Sequence, residues 1–323
     1  MVERPVWRPA AAREVLESRA QLLAFVRGFF AQRGVLEVET PVLGRCGVTD
    51  VHLDSIPAGV SAPGFSGGWL QTSPEYHMKR LLAAGSGPIY QVARVFRNGE
   101  VGRRHNPEFS MLEWYRPGFD DRQLMAEVAD LVVGWLSCER PETLSYRAVM
   151  QRWAGLDPFE ASEAELRARC REWMDDPQLA GLDRDGCLDL LMSFAVEPHL
   201  GRERPVFVTA YPASQASLAR VSEDARGHRV AHRFELYVQG LELCNGYWEL
   251  TDPVEQRRRF EADNRLRRAA GKPDMALDEA FLAALAAGLP DCAGVALGLD
   301  RLLMLRLGCG DIREVLAFPF DRA

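Results

Sequence analysis

The chain has 323 residues, 47% hydrophobic and 26% charged, with a formal net charge of −7. That is the composition of a globular protein with enough chain for a substantial core, in one large domain or two smaller ones. The net acidity excludes a protein that binds polyanions over its whole surface, though not one with a local basic patch.

Residues 1–10 read as an irregular arm punctuated by Pro5, Trp7 and Pro9. Leu22, Phe25, Val26, Phe29 and Phe30 keep helical spacing, which predicts a helix over 11–33 with Gly34 as its stop. Alternating apolar and acidic residues predict a strand at 35–39, ended by Thr40-Pro41. A turn-rich loop follows at 57–68, then a strand at 69–72 and a helix from about Pro74. Strands at 89–96 and 109–114, split by the charged loop 97–107, predict a long antiparallel hairpin. Residues 120–200 are mainly helical by periodicity, over 124–136, 163–173 and 187–196. Strands return at 206–209 and 233–243, helices at 253–270 and 278–287, and the chain closes with a strand at 294–297 and a helix at 299–307. Strands framing a helical middle, with no linker or internal repeat, predict a single α+β domain over 1–323 built on a mainly antiparallel sheet. The first thirty residues are too charged for a signal peptide, and no run approaches the ~18 apolar residues of a membrane helix. Seven cysteines without a C-x-x-C pair suit a reducing compartment and carry no zinc signature. A cytoplasmic protein is expected.

Four segments concentrate chemistry. In Thr72-Ser73-Pro74-Glu75-Tyr76, Ser73 and Pro74 suit a helix start and Glu75 its first turn, which is also a common structural pattern. The second segment runs from Arg94 through Phe96-Arg97-Asn98 to Arg104-His105-Asn106-Pro107-Glu108-Phe109. A guanidinium at a strand end can hold a phosphate bidentately and stabilise charge developing on it. Phe109 offers a flat face to a base. The same residues suit a solvated hairpin loop equally well. The third segment places Glu242 and Glu249 in apolar surroundings. Two carboxylates can share Mg²⁺ with substrate phosphates, whereas exposed acids are the commoner reading of such a pair alone. In the fourth, Gly294-x-x-x-Gly298 lets backbone approach a ligand or simply pack, and Arg301 opens the next helix. Arg257, Arg258, Arg259, Arg265, Arg267 and Arg268 read as a solvated helix face laced by Glu255–Arg259 and Glu261–Arg265 pairs. The competing reading is a basic face that steers an acidic partner.

Together and in this order, the segments resemble the signature motifs of class II aminoacyl-tRNA synthetases, nearest the lysine branch. Residues 29–43 resemble motif 1, with Pro41 at the family's dimer interface; 96–115 resemble motif 2; 294–305 resemble motif 3. The stretch from Leu241 resembles the segment with which lysyl enzymes bind amino acid and metal. The likeness covers residues 14–320. QTSPEYHMKRLL and YPASQASLA are similar to segments of the elongation factor P–lysine ligases, free-standing relatives that attach β-lysine to a lysine side chain of elongation factor P. Only about a dozen residues precede the motif 1 helix, against the roughly 100 of a lysyl-tRNA synthetase's anticodon-binding barrel. No anticodon-binding domain and no anticodon-reading tRNA contact are therefore expected.

The resemblance implies an ATP- and Mg²⁺-dependent ligase that adenylates lysine or (R)-β-lysine, uses elongation factor P as acceptor and works as a homodimer. Carried over by position, Arg97, Glu242 and Arg301 are the catalytic set, with Arg97 on the α-phosphate. Asn98, Gly99, Glu100, His105, Asn106, Phe109, Leu243 and Gly298 complete the ATP site, and Phe109 and Arg301 sandwich the adenine. Ser73, Pro74, Glu75, Tyr115, Glu249 and Ala296 line the amino-acid pocket, while Glu242 and Glu249 face Mg²⁺. Lysyl enzymes usually carry alanine at Ser73 and glycine at Ala296; the extra methyl of Ala296 is expected to narrow the pocket in favour of a β-amino acid. The family's FRNE is here Phe96-Arg97-Asn98-Gly99-Glu100, so the adenine-side acid is either Glu100 or lost, with weaker ATP binding expected in the second case, and Trp248 stands where a smaller or polar residue is usual. A minimal synthetase that charges tRNA, and an enzyme that adenylates lysine for a small-molecule acceptor, are the alternatives.

Overall fold

The computed structural model describes residues 7–61, 63–64, 67–174, 179 and 181–323. Most of the expected arm, and residues 62, 65 and 66 of the turn-rich loop, lie outside that set. In chain order the elements are α1 (Arg13–Ala31), β1 (Leu36–Glu37), β2 (Leu43–Gly44), β3 (Ile56–Ala58), β4 (Gly68–Leu70), α2 (Glu75–Ala83), β5 (Ile89–Phe96), β6 (Glu108–Pro117) and α3 (Asp121–Leu136). Then come β7 (Glu142–Ser145), α4 (Tyr146–Val149), α5 (Glu163–Cys170), α6 (Arg184–Leu191), β8 (Val206–Pro212), β9 (Val221–Glu223), β10 (Arg229–Val238) and β11 (Leu241–Trp248). The last are α7 (Pro253–Ala269), α8 (Glu279–Gly288), β12 (Cys292–Gly298) and α9 (Leu299–Leu307). Contacts divide the chain into two compact units, one within Met1–Gly118, Thr251–Cys292 and Ala296–Ala323, the other within Phe119–Leu250 and Ala293–Val295.

In the first unit α1 buries Leu22, Val26, Phe29 and Phe30, the face its spacing predicts. Phe30 stacks on Tyr90 at 4.3 Å and meets Trp114 edge-on at 5.4 Å, which seats the helix on the hairpin. That hairpin is β5 and β6, antiparallel from Ile89↔Tyr115 to Phe96↔Glu108, as two strands split by a charged loop predict. β1 pairs parallel with β5, and β2, β4 and β3 form a small separate sheet. The arginines of α7 are mostly spent locally: Arg257 pairs with Glu279, Arg258 and Arg259 with Glu255, and Arg268 with Asp274. Arg267 is buried and donates to the carbonyls of Pro273 and Asp50 and to the Asp54 carboxylate. The solvated-face reading of this helix fits these pairings.

In the second unit the strand order is β11-β10-β8-β7, with β9 on β10 and β7 parallel to β8. The strand expected over 233–243 is in fact the meeting ends of β10 and β11. Gln239 and Gly240, at φ 54° and 73°, make a two-residue turn between paired Val238 and Leu241. Such turns favour Asn-Gly or Gly-Gly, so Gln239 gives no sequence signal. The helix expected over 187–196 is α6 continued by a π-helical turn, Met192–Val196. These helices share a core with β8, in which Tyr146, Val149, Leu166, Leu188, Leu191 and Val208 are essentially inaccessible. The α+β class holds, with mainly antiparallel strands flanked by helices. Among the described residues no helix is long and apolar enough to cross a membrane.

Candidate active site

In the first unit, β6 lifts a lone acid into the apolar interior. Glu113 lies between Leu112 and Trp114, opposite Gln91, and is 2% exposed. Its Oε2 accepts from the Ser73 hydroxyl at 2.6 Å and its Oε1 from the Tyr115 hydroxyl at 2.7 Å. Ser73 Oγ in turn accepts the Glu75 N–H that opens α2, so Pro74 contributes backbone geometry and Ser73 the cap. One turn along α2, fully buried Lys79 donates to Glu75 at 2.6 Å. Burial, reinforced by the Glu75 charge, raises the Glu113 carboxyl to about 7. The array thus joins the predicted Ser73, Glu75 and Tyr115 through two residues that sequence reasoning missed. Glu113 had one available signal, a single acid inside the apolar run Met111–Tyr115; Lys79 had none beyond its i+4 distance from Glu75.

At the open end of the hairpin Arg97 is fixed by its own N–H to the Pro107 carbonyl. Its guanidinium lies 5.1 Å from the Phe109 ring centre and 3.7 Å from Glu100. Among the described residues its buried Nε–H has no acceptor, a donor held in reserve, as a phosphate site requires. Across the loop, His105 Nε2 accepts from Arg301 Nη2 at 2.9 Å. Burial and the Arg301 charge keep this imidazole below its ordinary range and therefore neutral. Arg301 sits in the first turn of α9, whose preceding residue, Asp300, is buried and accepts from Arg19 at 2.5 Å and from the Ser110 N–H at 2.7 Å. Phe109 and Ala296 pack together on Ala93, Val95 and Met111. At Gly298 an added Cβ would meet only the Arg301 side chain, at 3.5 Å, so packing does not demand glycine; a flat ligand against the strand would. These features fit ATP.

Three further residues of the predicted ATP site have these surroundings. The Asn98 N–H is tied to the Asp54 carbonyl, and Gly99, at φ 80°, has open space around it. The Asn106 side chain is engaged at both ends, donating to the Glu108 carbonyl and accepting the Phe320 N–H. It pins the loop to the C-terminal segment.

In the second unit the register of β11 decides the geometry. Leu236 pairs with Cys244, but Tyr237 pairs with Glu242, so Leu243 is the extra residue of a β-bulge. Glu242 and Glu249 are an odd number of positions apart, and an unbroken strand would put them on opposite faces. The bulge reverses the alternation, so Glu242, Asn245, Tyr247 and Glu249 follow one face. Among the described residues the buried Asn245 Oδ1 has no donor. Two carboxylates and an amide oxygen are the hard oxygen donors that Mg²⁺ accepts, with substrate phosphates completing its shell. No group of three His, Cys, Asp or Glu residues converges among the described residues, so a metal here would depend on such outside ligands. Trp248, on the opposite face, lies under Arg220 and edge-on to His232.

A strand hairpin closed by an arginine, a glycine-bounded strand running into an arginine-bearing helix, and a bulged acidic strand define a class II synthetase core. The family model of class II tRNA synthetases (D, K and N) matches residues 6–322, and the chain belongs to that family. Relatives from Salmonella dublin and Salmonella paratyphi B, each named elongation factor P–(R)-β-lysine ligase, are 52% identical over 328 aligned positions covering 100% of both chains.

Proposed function

We propose that this chain is an ATP-dependent ligase that adenylates (R)-β-lysine and transfers it to a lysine side chain of elongation factor P, as one catalytic domain in a cytoplasmic homodimer. The observation that carries the reading is the buried array of Ser73, Glu75, Lys79, Glu113 and Tyr115. With Glu113 ionised, the three charged groups hold one net negative charge in an apolar wall, and a substrate ammonium balances it. The names of the relatives supply the acceptor. Leu36, Val42 and Leu43, apolar and exposed in and beside the motif 1 segment, support the dimer.

A carboxylate is a poor electrophile until it gains a leaving group. In the proposed reaction a carboxylate oxygen of the amino acid attacks the α-phosphorus of ATP, and the bond to pyrophosphate breaks. Arg97 stabilises the charge that develops on the α-phosphate, and Arg301 and Phe109 hold the nucleotide in line. Glu75, Tyr115 and Glu249 orient the amino groups, and the Ala296 methyl shortens the pocket. Mg²⁺, when held by Glu242 and Glu249, neutralises phosphate charge. A neutral acceptor amine then attacks the acyl carbon; the new C–N bond forms, AMP leaves, and the amine loses a proton.

The test is intact-mass analysis of elongation factor P after incubation with the protein, ATP, Mg²⁺ and (R)-β-lysine. Parallel reactions hold α-lysine, or tRNA in place of the factor. A gain of one lysine residue on the factor, larger with β-lysine, is expected. Lysine on tRNA with an unmodified factor would make the chain a minimal synthetase instead. An unmodified factor and uncharged tRNA, with ATP still consumed on addition of lysine, would point to a small-molecule acceptor.

A further inference from the structure

The helices between β7 and β8 have no part in the roles above, yet α6 reaches the loop that borders Glu249. Asp185 and Asp189 stand one turn apart on the same side of α6. Asp185 accepts from the Ser214 hydroxyl at 2.7 Å and Asp189 from the Gln215 amide at 2.8 Å. From the other side Arg233 donates to the Gln215 carbonyl at 2.8 Å. Arg233 is itself anchored on buried Glu235, which also takes the hydroxyls of Tyr211 and Tyr237. The loop from Tyr211 to Ala219 is therefore gripped on both flanks.

Its far end closes on Glu249. The Arg220 N–H donates to the Trp248 carbonyl and the Leu250 N–H to the Leu218 carbonyl, both at 2.9 Å. Arg220 Nε donates to the Glu249 carbonyl at 2.8 Å, and Ala219 bridges to Glu249. Two non-glycine residues hold left-handed backbone, Ala210 at φ 57° in β8 just before this loop and Ser217 at φ 49° near its end. That conformation is unfavourable for a residue with a Cβ, so the loop keeps its course only because its surroundings impose it.

We infer that α6 sets the amino-acid subsite: Asp185 and Asp189 are positioning residues that hold the 211–219 loop so that it fixes the backbone of Glu249. The inference rests on the assignment of Glu249 to the substrate amine under the proposed function. Ser214 and Gln215 bind α6 and the loop closes on Glu249, so the expected effect is on amino-acid binding.

The experiment is amino-acid-dependent ATP–pyrophosphate exchange by the full chain, with Asp185→Ala/Asp189→Ala compared with Asp185→Asn/Asp189→Asn. The alanine pair is expected to raise the KM for (R)-β-lysine roughly tenfold and leave the KM for ATP within about twofold. The asparagine pair, whose amide oxygens still accept, should restore most of that loss. Should the alanine pair fail to fold, Ser214→Ala/Gln215→Ala makes the same test from the loop side. Equal rises in both KM values, no rise in either, or failure of the asparagine pair to rescue would make the loop a packing device and overturn the inference. A wild-type protein without lysine-dependent exchange would instead overturn the functional reading, and this one with it.

Discussion

Glu113→Gln should make the protein more stable and much less active, and both magnitudes follow from the buried array. Unfolded, a glutamate gives up its proton near 4.5; folded, Glu113 keeps it to about 7, because it is buried and faces Glu75. Below 4.5 the carboxyl is neutral in both states and folding is not penalised. Between those values the unfolded chain ionises first, and above 7 the penalty is complete, about 3 kcal/mol. Glutamine removes that penalty while its amide can still serve the Ser73 and Tyr115 hydroxyls. A net gain of about 2 kcal/mol at pH 8 corresponds to a rise of roughly 3 °C in Tm, fading toward pH 4.5. The same change removes the charge behind the Ser73 and Tyr115 hydroxyls, and with it the net negative charge that balances the substrate ammonium, a loss of about 2–3 kcal/mol, or roughly 30- to 150-fold in kcat/KM for the amino acid. Thermal unfolding at pH 4.5 and 8, with pyrophosphate exchange at varied β-lysine, reads both. A variant less stable than wild type at pH 8, or one that activates β-lysine with unchanged kcat/KM, would refute the reasoning.

Arg97→Lys exchanges a planar fork for a point charge and loses the reserved Nε–H; exchange should fall about 100-fold with little change in the urea midpoint. Asp300→Asn strands the Arg19 guanidinium, whose side chain is 18% exposed, and should cost about 3 kcal/mol by urea unfolding; a midpoint equal to wild type would show that the clasp carries no energy. Gly246→Ala would set a Cβ 2.3 Å from the Phe234 ring, so a loss of about 2 kcal/mol or more, seen as a lower Tm, is expected.

What could be read in advance was whatever the backbone period writes into the sequence. The β5–β6 hairpin was legible because two apolar-rich runs flank the charged loop 97–107, and Arg97 stands where the first of them stops. The α1 face was legible because Leu22, Val26, Phe29 and Phe30 recur at helical spacing. The union of Ser73 with Tyr115 was not, because it passes through an acid whose burial depends on how β6 and α2 meet. Nor was the common face of Glu242 and Glu249, since their odd spacing argues against it until the bulge at Leu243 is known. The loop held by α6 was invisible for a further reason: Asp185 and Asp189 are ordinary surface acids until Ser214 and Gln215 arrive from a distant stretch of chain.

The bond from Arg19 to Asp300 spans 281 positions, and it bears on how the chain leaves the ribosome. The first unit is assembled from separated stretches, whereas most of the second lies in the continuous run Phe119–Leu250. At ~5–20 residues per second, roughly 15–55 s separate the synthesis of the two partners. For that time the Arg19 charge has no mate, and α1 has only the β5–β6 hairpin to rest on. Vectorial synthesis therefore favours completion of the middle of the chain before the unit that holds its beginning.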